Sequence, residues 1–439
     1  MSTSASERDP SPTQLSDRLE TATGVLTGLA TCAVLFSIAA SQILLGAALL
    51  ALLLSRRRIR FPARLGLALL AFLTWTILSL AFSRDLWAGL PHLRKLFVFL
   101  ALVVAYNAYR EPRQIWRIAQ GIALGGVLSA LYGLAQFVLD YWRLREQGLP
   151  FYENYVVHQI TGFMSHWMTF SGQLMMVLLL VVSGALFGGL SRRMRLGAWL
   201  CAAVVTLALL AAFTRGVWLG AFAGVAYLLA RSKRRLLWLL PVALLLLYFA
   251  SPSWLQRRSQ SIFDLGTDTS NQSRVVMFWT GMRMIAAHPW LGVGPEQVGA
   301  EFLRYKPAGM PLPRAWYGHL HNNFLQLAAE RGIPCLLFWL WMIFEVFYAS
   351  LSLARSPGGE ARTLGHSVIA ITIGLMISGL FEFNFGDSEV VMLYLFLAAV
   401  PFAWVRLGQQ ALPALLSPQA LRASLPRSSA AASASSEPS

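Results

Sequence analysis

Residues 319–323 read HLHNN and place two of the chain's seven histidines beside two asparagines. The pattern that follows, NFLQLAAERG, is typical of a helix, so His321 stands at a helix N-terminus, where the helix dipole disfavours a charged imidazolium. A neutral imidazole accepts a proton, and we therefore interpret His321 as a general base. Asn322 and His319 are secondary candidates, although for His319 a surface position without a function is the favoured interpretation.

Arginine is the second residue type that could do chemistry here. Arg215 stands alone between two apolar segments in AFTRGVWLG, and Arg274 and Arg283 lie on one helical pattern, SRVVMFWTGMRMIAAHPW. The planar guanidinium suits a phosphate or diphosphate, so we interpret Arg215 and Arg274 as diphosphate-binding residues. For Arg215, an extension to lipid phosphates stays open as the alternative. Arg283, with a solvated side chain as its favoured interpretation, and His166 are weaker candidates.

No metal-ligand pattern accompanies the histidines. The sequence has no HExxH and no DxD motif, and such motifs supply the clustered ligands that a catalytic ion requires. The turn GVGP, residues 292–295, resembles a phosphate loop but follows a helix and a proline instead of a strand, which argues against nucleotide binding. We therefore predict chemistry without a metal or a cofactor. The acids predicted on the same face are scattered singly: Glu296, Glu301, Glu330, Glu382 and Asp387.

The composition shows which elements must position these residues. The 439 residues are 56% hydrophobic and 13% charged, with a mean hydropathy of +0.56. Repeated apolar runs of roughly 18 residues predict an all-α integral membrane protein. Residues 24–54 would span about 46 Å as one helix, so we divide them at Ser41 and Gln42. We predict twelve membrane-spanning segments: 24–38, 41–54, 64–82, 94–109, 115–140, 166–189, 196–213, 216–230, 235–250, 333–354, 363–384 and 389–406.

The distribution of the basic residues, which give the chain a net charge of +16, agrees with the predicted topology. With a cytoplasmic N-terminus, each of the five cytoplasmic loops is basic, as the positive-inside rule requires, and both termini are cytoplasmic. No soluble basic domain remains that would bind nucleic acid, and we expect the three cysteines to form no disulfide. The predicted organisation is a tail (1–22), nine spans (23–250), a large outer loop with amphipathic helices and the histidine motif (251–332), three spans (333–407) and a disordered tail (408–439).

These candidates together predict one reaction class. A neutral histidine, arginines and an amphipathic helix on the outer face suit a lipid-linked diphosphate donor that is attacked by a hydroxyl group. The arginines would stabilise the departing diphosphate, and His321 would take the hydroxyl proton.

The segment SRVVMFWTGMRMIAAHPWLGVGPEQVG, followed after a spacer by HNNFLQLAAERGIP, resembles the signature of the O-antigen ligase and polymerase superfamily. That signature has an arginine and a tryptophan before a Pro-x-x-G-x-G turn, and then His-Asn. The resemblance implies a GT-C-like, metal-independent and inverting glycosyltransferase with a periplasmic active site. It matches His321 to the essential histidine of the family, and Arg274 and Arg215 to its two arginines.

The resemblance also implies partners and a location. A ligase transfers polysaccharide from undecaprenyl diphosphate to a sugar of the lipid A-core, in the inner membrane of a Gram-negative bacterium. An O-antigen polymerase, which uses the same donor, and a protein O-oligosaccharyltransferase stay open as alternatives. A flippase or transporter of lipid-linked oligosaccharide is the alternative from another class, but it predicts charged groups at mid-membrane and inverted repeats. The sequence leaves the acceptor sugar, the glycan and the oligomeric state undetermined.

Overall fold

The structure is a computed structural model that describes residues 12–262, 264, 268–313 and 318–415. Among these residues all the regular structure is helical, which confirms the predicted all-α class. The predicted disordered tail lies outside the described residues from 416 onwards, and so do residues 1–11 of the predicted N-terminal tail.

The helices of the first half are α1 Pro12–Ala33, α2 Ile38–Leu54, α3 Ala63–Ala81, α4 Leu86–Gly89, α5 Pro91–Lys95, α6 Leu100–Ala108, α7 Pro112–Glu146, α8 Phe151–Tyr155, α9 Trp167–Phe187, α10 Arg192–Ala211, α11 Arg215–Ser232 and α12 Leu239–Ala250. Those of the second half are α13 Ser253–Gln260, α14 Thr269–Ala287, α15 Val298–Tyr305, α16 Asn323–Arg331, α17 Ile333–Ala354, α18 Gly359–Ser378 and α19 Ser388–Leu415. Short 3-10 helices cover Leu96–Phe99, Arg234–Trp238 and Asn384–Gly386.

Helices occupy each of the twelve segments predicted to span the membrane, and eight stretches of the described chain are long and apolar enough to cross one. These are α3, Leu86–Ala108, α7, α9, α10, α17, α18 and Ser388–Gln410. Helix α2 is apolar but shorter, with 17 residues. The protein is therefore a multi-pass membrane protein by helix length and composition, and the number twelve stays a prediction.

The predicted division of residues 24–54 is confirmed, but its position is wrong. Helix α1 ends at Ala33, and Ser37 caps α2 by accepting a hydrogen bond from the backbone N–H of Ala40. Ser41 is buried inside α2 and donates to the carbonyl of Ala30 at 2.7 Å. The hydroxyl that suggested a turn instead joins two packed helices, because a helical serine satisfies its hydrogen bonds equally well across an interface.

Helix α9 lies at the centre of the bundle, and 89% of its apolar 18-residue stretch is buried inside the protein. Helix α11 packs closely on α18, since a Cβ at Gly220 would lie 2.4 Å from the carbonyl oxygen of Gly374. This contact places the N-terminus of α11 beside the segment 379–387, which joins α18 to α19.

The segment between α12 and α17 folds on one end of the bundle around a small core of its own. That core joins α14, α15 and α16 through apolar residues that include Met277, Phe302 and Leu325. Its GVGP turn docks on the end of α16, where a Cβ at Gly292 would lie 2.3 Å from the backbone of Glu330. The turn therefore serves backbone packing, in agreement with the rejection of a nucleotide site.

Helix α14 confirms the predicted helix before Pro289. The apolar residues that indicated a membrane-facing side are exposed: Val275, Phe278, Trp279 and Met282. Its opposite side, with Val276, Met277 and Met284, packs in the small core. A membrane surface would supply an apolar environment for the exposed side, and this location of α14 stays a prediction.

Candidate active site

His321 lies one residue before the N-cap of α16. Asn322 is the cap, and its side-chain oxygen accepts a hydrogen bond from the backbone N–H of Leu325 at 2.9 Å. His321 itself has a φ of +48°, in the left-handed region that histidine adopts more readily than bulky residues. A residue held in this region at the mouth of a helix is a structural indication of function.

The two asparagines fix the histidine motif to the segment 379–387. Asn322 Nδ2 donates to the carbonyl of Leu380 at 2.9 Å, and the backbone N–H of Asn323 donates to the carbonyl of Gly379 at 2.7 Å. The buried Asn323 side chain also bonds Asn384. Gly379 is required for this approach, because a Cβ there would lie 2.3 Å from Asn323 Nδ2.

This docking brings Glu382 against His321 and Arg274. The buried Glu382 carboxylate lies with Oε2 3.3 Å from Nδ1 of His321 and with Oε1 2.7 Å from Nη2 of Arg274. Burial alone would raise the pKa of Glu382, but Arg274 and His321 hold it below its ordinary value, so the group is ionised. An ionised carboxylate only accepts hydrogen bonds, so Nδ1 of His321 is the donor in this contact, and in the neutral tautomer Nε2 carries the lone pair.

Arg274 is anchored on α14 but remains partly open. Its Nε donates to the carbonyl of Phe381 at 3.1 Å and its Nη1 to Ser270 Oγ at 2.5 Å. Its side chain is 23% exposed, against 3% for that of its partner Glu382. The guanidinium is thus positioned by the protein while part of it faces the space beside His321.

His319 is not an isolated surface residue, contrary to the favoured sequence interpretation. Its ring centroid lies 4.1 Å from that of His321, and its Nδ1 accepts a hydrogen bond from the backbone N–H of His321 at 3.3 Å. Burial, reinforced by the nearby charge of His321, lowers the pKa of His319 to about 3. The second histidine is therefore neutral and packs beside the first.

His166 approaches the same site from the start of α9. Its Nδ1 accepts a hydrogen bond from the backbone N–H of Met168 at 3.2 Å and so caps the helix. Burial lowers its pKa, and the charges of Glu382 and His321 both act on it. It lies in the electrostatic surroundings of the site and contributes a neutral imidazole.

A second, partly buried carboxyl lies just before the start of α19. Asp387 Oδ2 accepts a hydrogen bond from Thr169 Oγ1 at 3.1 Å. Burial raises the pKa of Asp387 to about 7, and the negative charges of Glu389 and Glu382 act in the same direction. The raised pKa favours the protonated form of Asp387, whereas the lowered pKa of Glu382 favours its ionised form.

Arg215 has a different environment from Arg274. Its side chain is 7% exposed, and its two terminal nitrogens bond both carboxylate oxygens of Asp268 at 3.0 and 3.1 Å. They also donate to Ser261 and to Asn271 Oδ1. Asp268 is the N-cap of α14, so Arg215 fixes the beginning of the helix that carries Arg274. Arg283 is exposed on α14.

The structure adds Glu382 and Asp268 to the residues found from sequence. The prediction that the outer-face acids are scattered singly is wrong for Glu382, which joins the histidine and the arginine. The first acid in FEFNFGDSE, between two apolar segments, was the available signal. Among the described residues no three His, Cys, Asp or Glu side chains are placed to hold a metal ion, and metal independence stays a prediction.

Fold and site together define a multi-pass, all-α membrane protein with a histidine–carboxylate–arginine cluster at one end of its bundle. Residues 199–340 match the family model described as O-Antigen ligase. This region contains α11, α14 and the histidine motif, and the match supports membership of the O-antigen ligase family, as the sequence resemblance indicated. No curated protein matches the chain.

Proposed function

We propose that this protein is an O-antigen ligase that transfers polysaccharide from undecaprenyl diphosphate to a sugar hydroxyl of the lipid A-core. The observation that carries the proposal is the contact of His321 Nδ1 with the ionised Glu382, which leaves Nε2 as a proton acceptor. The family match supports the donor class, since it covers the histidine and both arginines. Acceptor identity rests on the resemblance alone.

In the proposed reaction the acceptor hydroxyl oxygen attacks the anomeric carbon of the donor sugar. The bond from that carbon to the phosphate oxygen breaks, and undecaprenyl diphosphate leaves with the electron pair. The hydroxyl proton passes to Nε2 of His321, and Glu382 stabilises the resulting imidazolium. Arg274 compensates the charge of the leaving diphosphate. Attack on the face of the sugar opposite to the leaving diphosphate inverts the anomeric centre.

For Arg215 the proposal has two forms. Direct binding of the diphosphate, as the sequence predicts, requires the guanidinium to exchange Asp268 for the donor. Indirect action follows from the contacts of Arg215, which fix the N-terminus of α14 and with it the position of Arg274. The arginine variants in the Discussion distinguish these forms.

The proposed orientation has twelve spans, cytoplasmic termini and a periplasmic site in the inner membrane. The basic loops support it through the positive-inside rule. The test places single cysteines at Arg283 and at Arg193 in a cysteine-free variant and adds a membrane-impermeant maleimide from the periplasm. The cysteine at position 283 should react directly, and the cysteine at position 193 should react only after permeabilisation. The reverse pattern would refute the orientation.

Lipopolysaccharide from a deletion strain tests the function. Loss of a ligase leaves lipid A-core without O-chain while polymer accumulates on undecaprenyl diphosphate in the periplasm. Core capped with a single repeat would identify a polymerase instead, and lipid-linked repeats retained on the cytoplasmic side would identify a flippase. Restoration by the wild-type gene, but not by a His321→Ala gene, attributes the defect to the proposed site.

A further inference from the structure

A basic cavity lies at the end of the bundle opposite the candidate active site. It has a volume of about 460 Å³ and is lined by residues of α1, α2, α6 and α19 and of the short connections after α2 and α6. Helix α19 runs from Ser388, beside the site, to Arg406 at this cavity, which is about 27 Å at 1.5 Å per residue. The cavity is therefore separate from the site described above.

Its lining carries an excess of positive charge. Five arginines and two glutamates line it, which leaves three uncompensated positive charges. Glu20 is buried and pairs with both Arg57 and Arg110. These pairs connect the elements of the cavity wall and neutralise part of its positive charge.

Two further arginines remain available. In the part of the chain that the structure describes, the side chains of Arg58 and Arg60 have no hydrogen bond or ion pair. The backbone of Arg60 is nevertheless fixed, because Asn107 accepts from its N–H at 3.0 Å and donates to its carbonyl at 2.9 Å. Guanidiniums on a fixed backbone, without partners of their own, are suited to an anion.

Arg406 provides an independent observation on the opposite wall. Its Nη2 donates to the carbonyl of Tyr109, and its guanidinium lies 4.8 Å from the centroid of the Tyr106 ring. Its Nε is buried and has no hydrogen-bond partner among the described residues. A buried donor without a partner is costly, so the site is incomplete without an acceptor.

The surroundings favour an acceptor that belongs to a lipid. Leu53, Leu54 and Ile59 are exposed beside the cavity, next to Leu52, Arg58 and Arg60, which line it. A phospholipid places its phosphate among arginines and its acyl chains against such apolar side chains, whereas a free anion uses the arginines only. The volume lies within the range of ~300–1,000 Å³ that is usual for small-ligand sites.

We propose that this cavity binds the phosphate of an anionic membrane phospholipid. Arg58, Arg60 and Arg406 contact the phosphate, and the exposed leucines of α2 contact an acyl chain. If the bundle is oriented as proposed above, the lipid comes from the cytoplasmic leaflet, where anionic headgroups attract basic clusters. Binding does not depend on glycan transfer, so this proposal and the proposed function fail separately.

The test uses the purified, delipidated full-length protein in detergent. Native mass spectrometry and thermal unfolding are followed while phosphatidylglycerol, phosphatidylcholine or inorganic phosphate is added. Phosphatidylglycerol should bind one per chain and raise the melting temperature, and the other two should do neither. Equal effects of both lipids would overturn the proposal. Stabilisation by inorganic phosphate at the same concentration would assign the cavity to a soluble anion instead.

The variant Arg58→Gln/Arg60→Gln should weaken phosphatidylglycerol binding by about 30-fold, from the usual attraction of two arginines for an anionic lipid. The matched control is Arg192→Gln/Arg193→Gln, which removes two exposed arginines at the same end of the bundle but outside the cavity. Its affinity should stay within about twofold of the wild type, and an equal loss would refute a specific site. If the double variant does not fold, the single variant Arg58→Gln replaces it, with about a fivefold loss expected.

Discussion

Two arginine–carboxylate pairs involve the first turns of α14, and they differ in how much of the arginine stays exposed. Arg215 and Asp268 are 7% and 13% exposed, and the protein occupies both terminal nitrogens of the arginine. Arg274 is 23% exposed, and its partner Glu382 is shared with His321. The first pair is complete in itself and holds the start of a helix, whereas the second contacts the imidazole of His321 and leaves part of the Arg274 guanidinium exposed.

The comparison shows that the residue type alone does not assign a role. Both arginines were predicted from sequence to bind diphosphate, and both in fact bond a carboxylate. What distinguishes them is the third group at the carboxylate, a helix N-terminus for Asp268 and an imidazole for Glu382. The experiments below separate the two pairs, and they run from the largest expected effect to the smallest.

Removal of the proton acceptor should have the largest effect. We expect His321→Ala to lower the transfer rate by roughly 10²–10⁴-fold, the usual contribution of a general base. The measurement is turnover of purified donor and acceptor, with membrane insertion checked in parallel. His319→Ala is the matched control and should be much milder. A His321→Ala enzyme with more than about a tenth of the wild-type rate would exclude the general-base role.

The two carboxylates test the comparison directly. Glu382→Gln keeps the shape but removes the charge that stabilises the imidazolium, so we expect turnover to fall by about 10²-fold or more with little change in donor affinity. Asp268→Asn keeps a good N-cap residue and breaks only the pair with Arg215. It should lower the melting temperature by several degrees and leave turnover within about threefold. A large loss of turnover in Asp268→Asn together with only a loss of stability in Glu382→Gln would overturn the comparison.

Lysine at the two arginine positions should separate binding from positioning. Arg274→Lys keeps the charge but loses the planar fork, so donor binding should weaken by about tenfold while acceptor affinity stays unchanged. Arg215→Lys cannot bond both oxygens of Asp268, so it should lower the melting temperature. Donor affinity is measured for both variants by titration of the lipid-linked donor.

A stable Arg215→Lys protein with weakened donor binding would show that Arg215 contacts the diphosphate directly. Full activity of either lysine variant would contradict binding of the diphosphate by the planar fork of that residue. The lipid-phosphate alternative for Arg215 is disfavoured by its low exposure and by its bonds to Asp268.

Asp387 offers a smaller effect that depends on pH. Its folded-state pKa of about 7 lies above the ordinary value of 3.8, so the native state binds the extra proton and stability falls as pH rises from about 4 to 7. Asp387→Asn lacks this titration. Its melting temperature relative to the wild type should therefore increase between pH 5 and pH 8, by about 2–4 °C for each kcal/mol gained. A difference that is constant with pH would contradict the raised pKa.

The smallest expected effect is that of a chelator. Transfer by the purified enzyme should survive excess EDTA, since the proposed reaction compensates the diphosphate charge with arginine. Arg274→Gln provides the contrast, because it should stay inactive whether or not magnesium is added. Loss of wild-type activity with EDTA, and its return with magnesium or manganese, would show that an ion shares the role assigned to Arg274.

Much of the fold was predictable because it depends on local pattern. Apolar runs located helices at all twelve predicted segments, with some ends displaced by six residues or more, and helix-start residues located α14 and α16. The turn between α1 and α2 was misplaced by several residues, since Ser41 has the same local pattern at a turn and inside a packed pair of helices. The count of spans also went beyond what length and hydropathy support, which is eight in the described chain.

The sequence by itself indicated the class of protein and the polar groups at the start of α16, among which His321 is the proposed proton acceptor. Only the tertiary structure decided which carboxylate contacts His321, because Glu382 lies 61 residues from His321 and 108 from Arg274 along the chain. It likewise decided that Arg215 meets Asp268, 53 residues away. Helical periodicity reports which face a residue occupies within its own helix. It carries no information on the partner of that face, and that choice is made by the packing of the bundle.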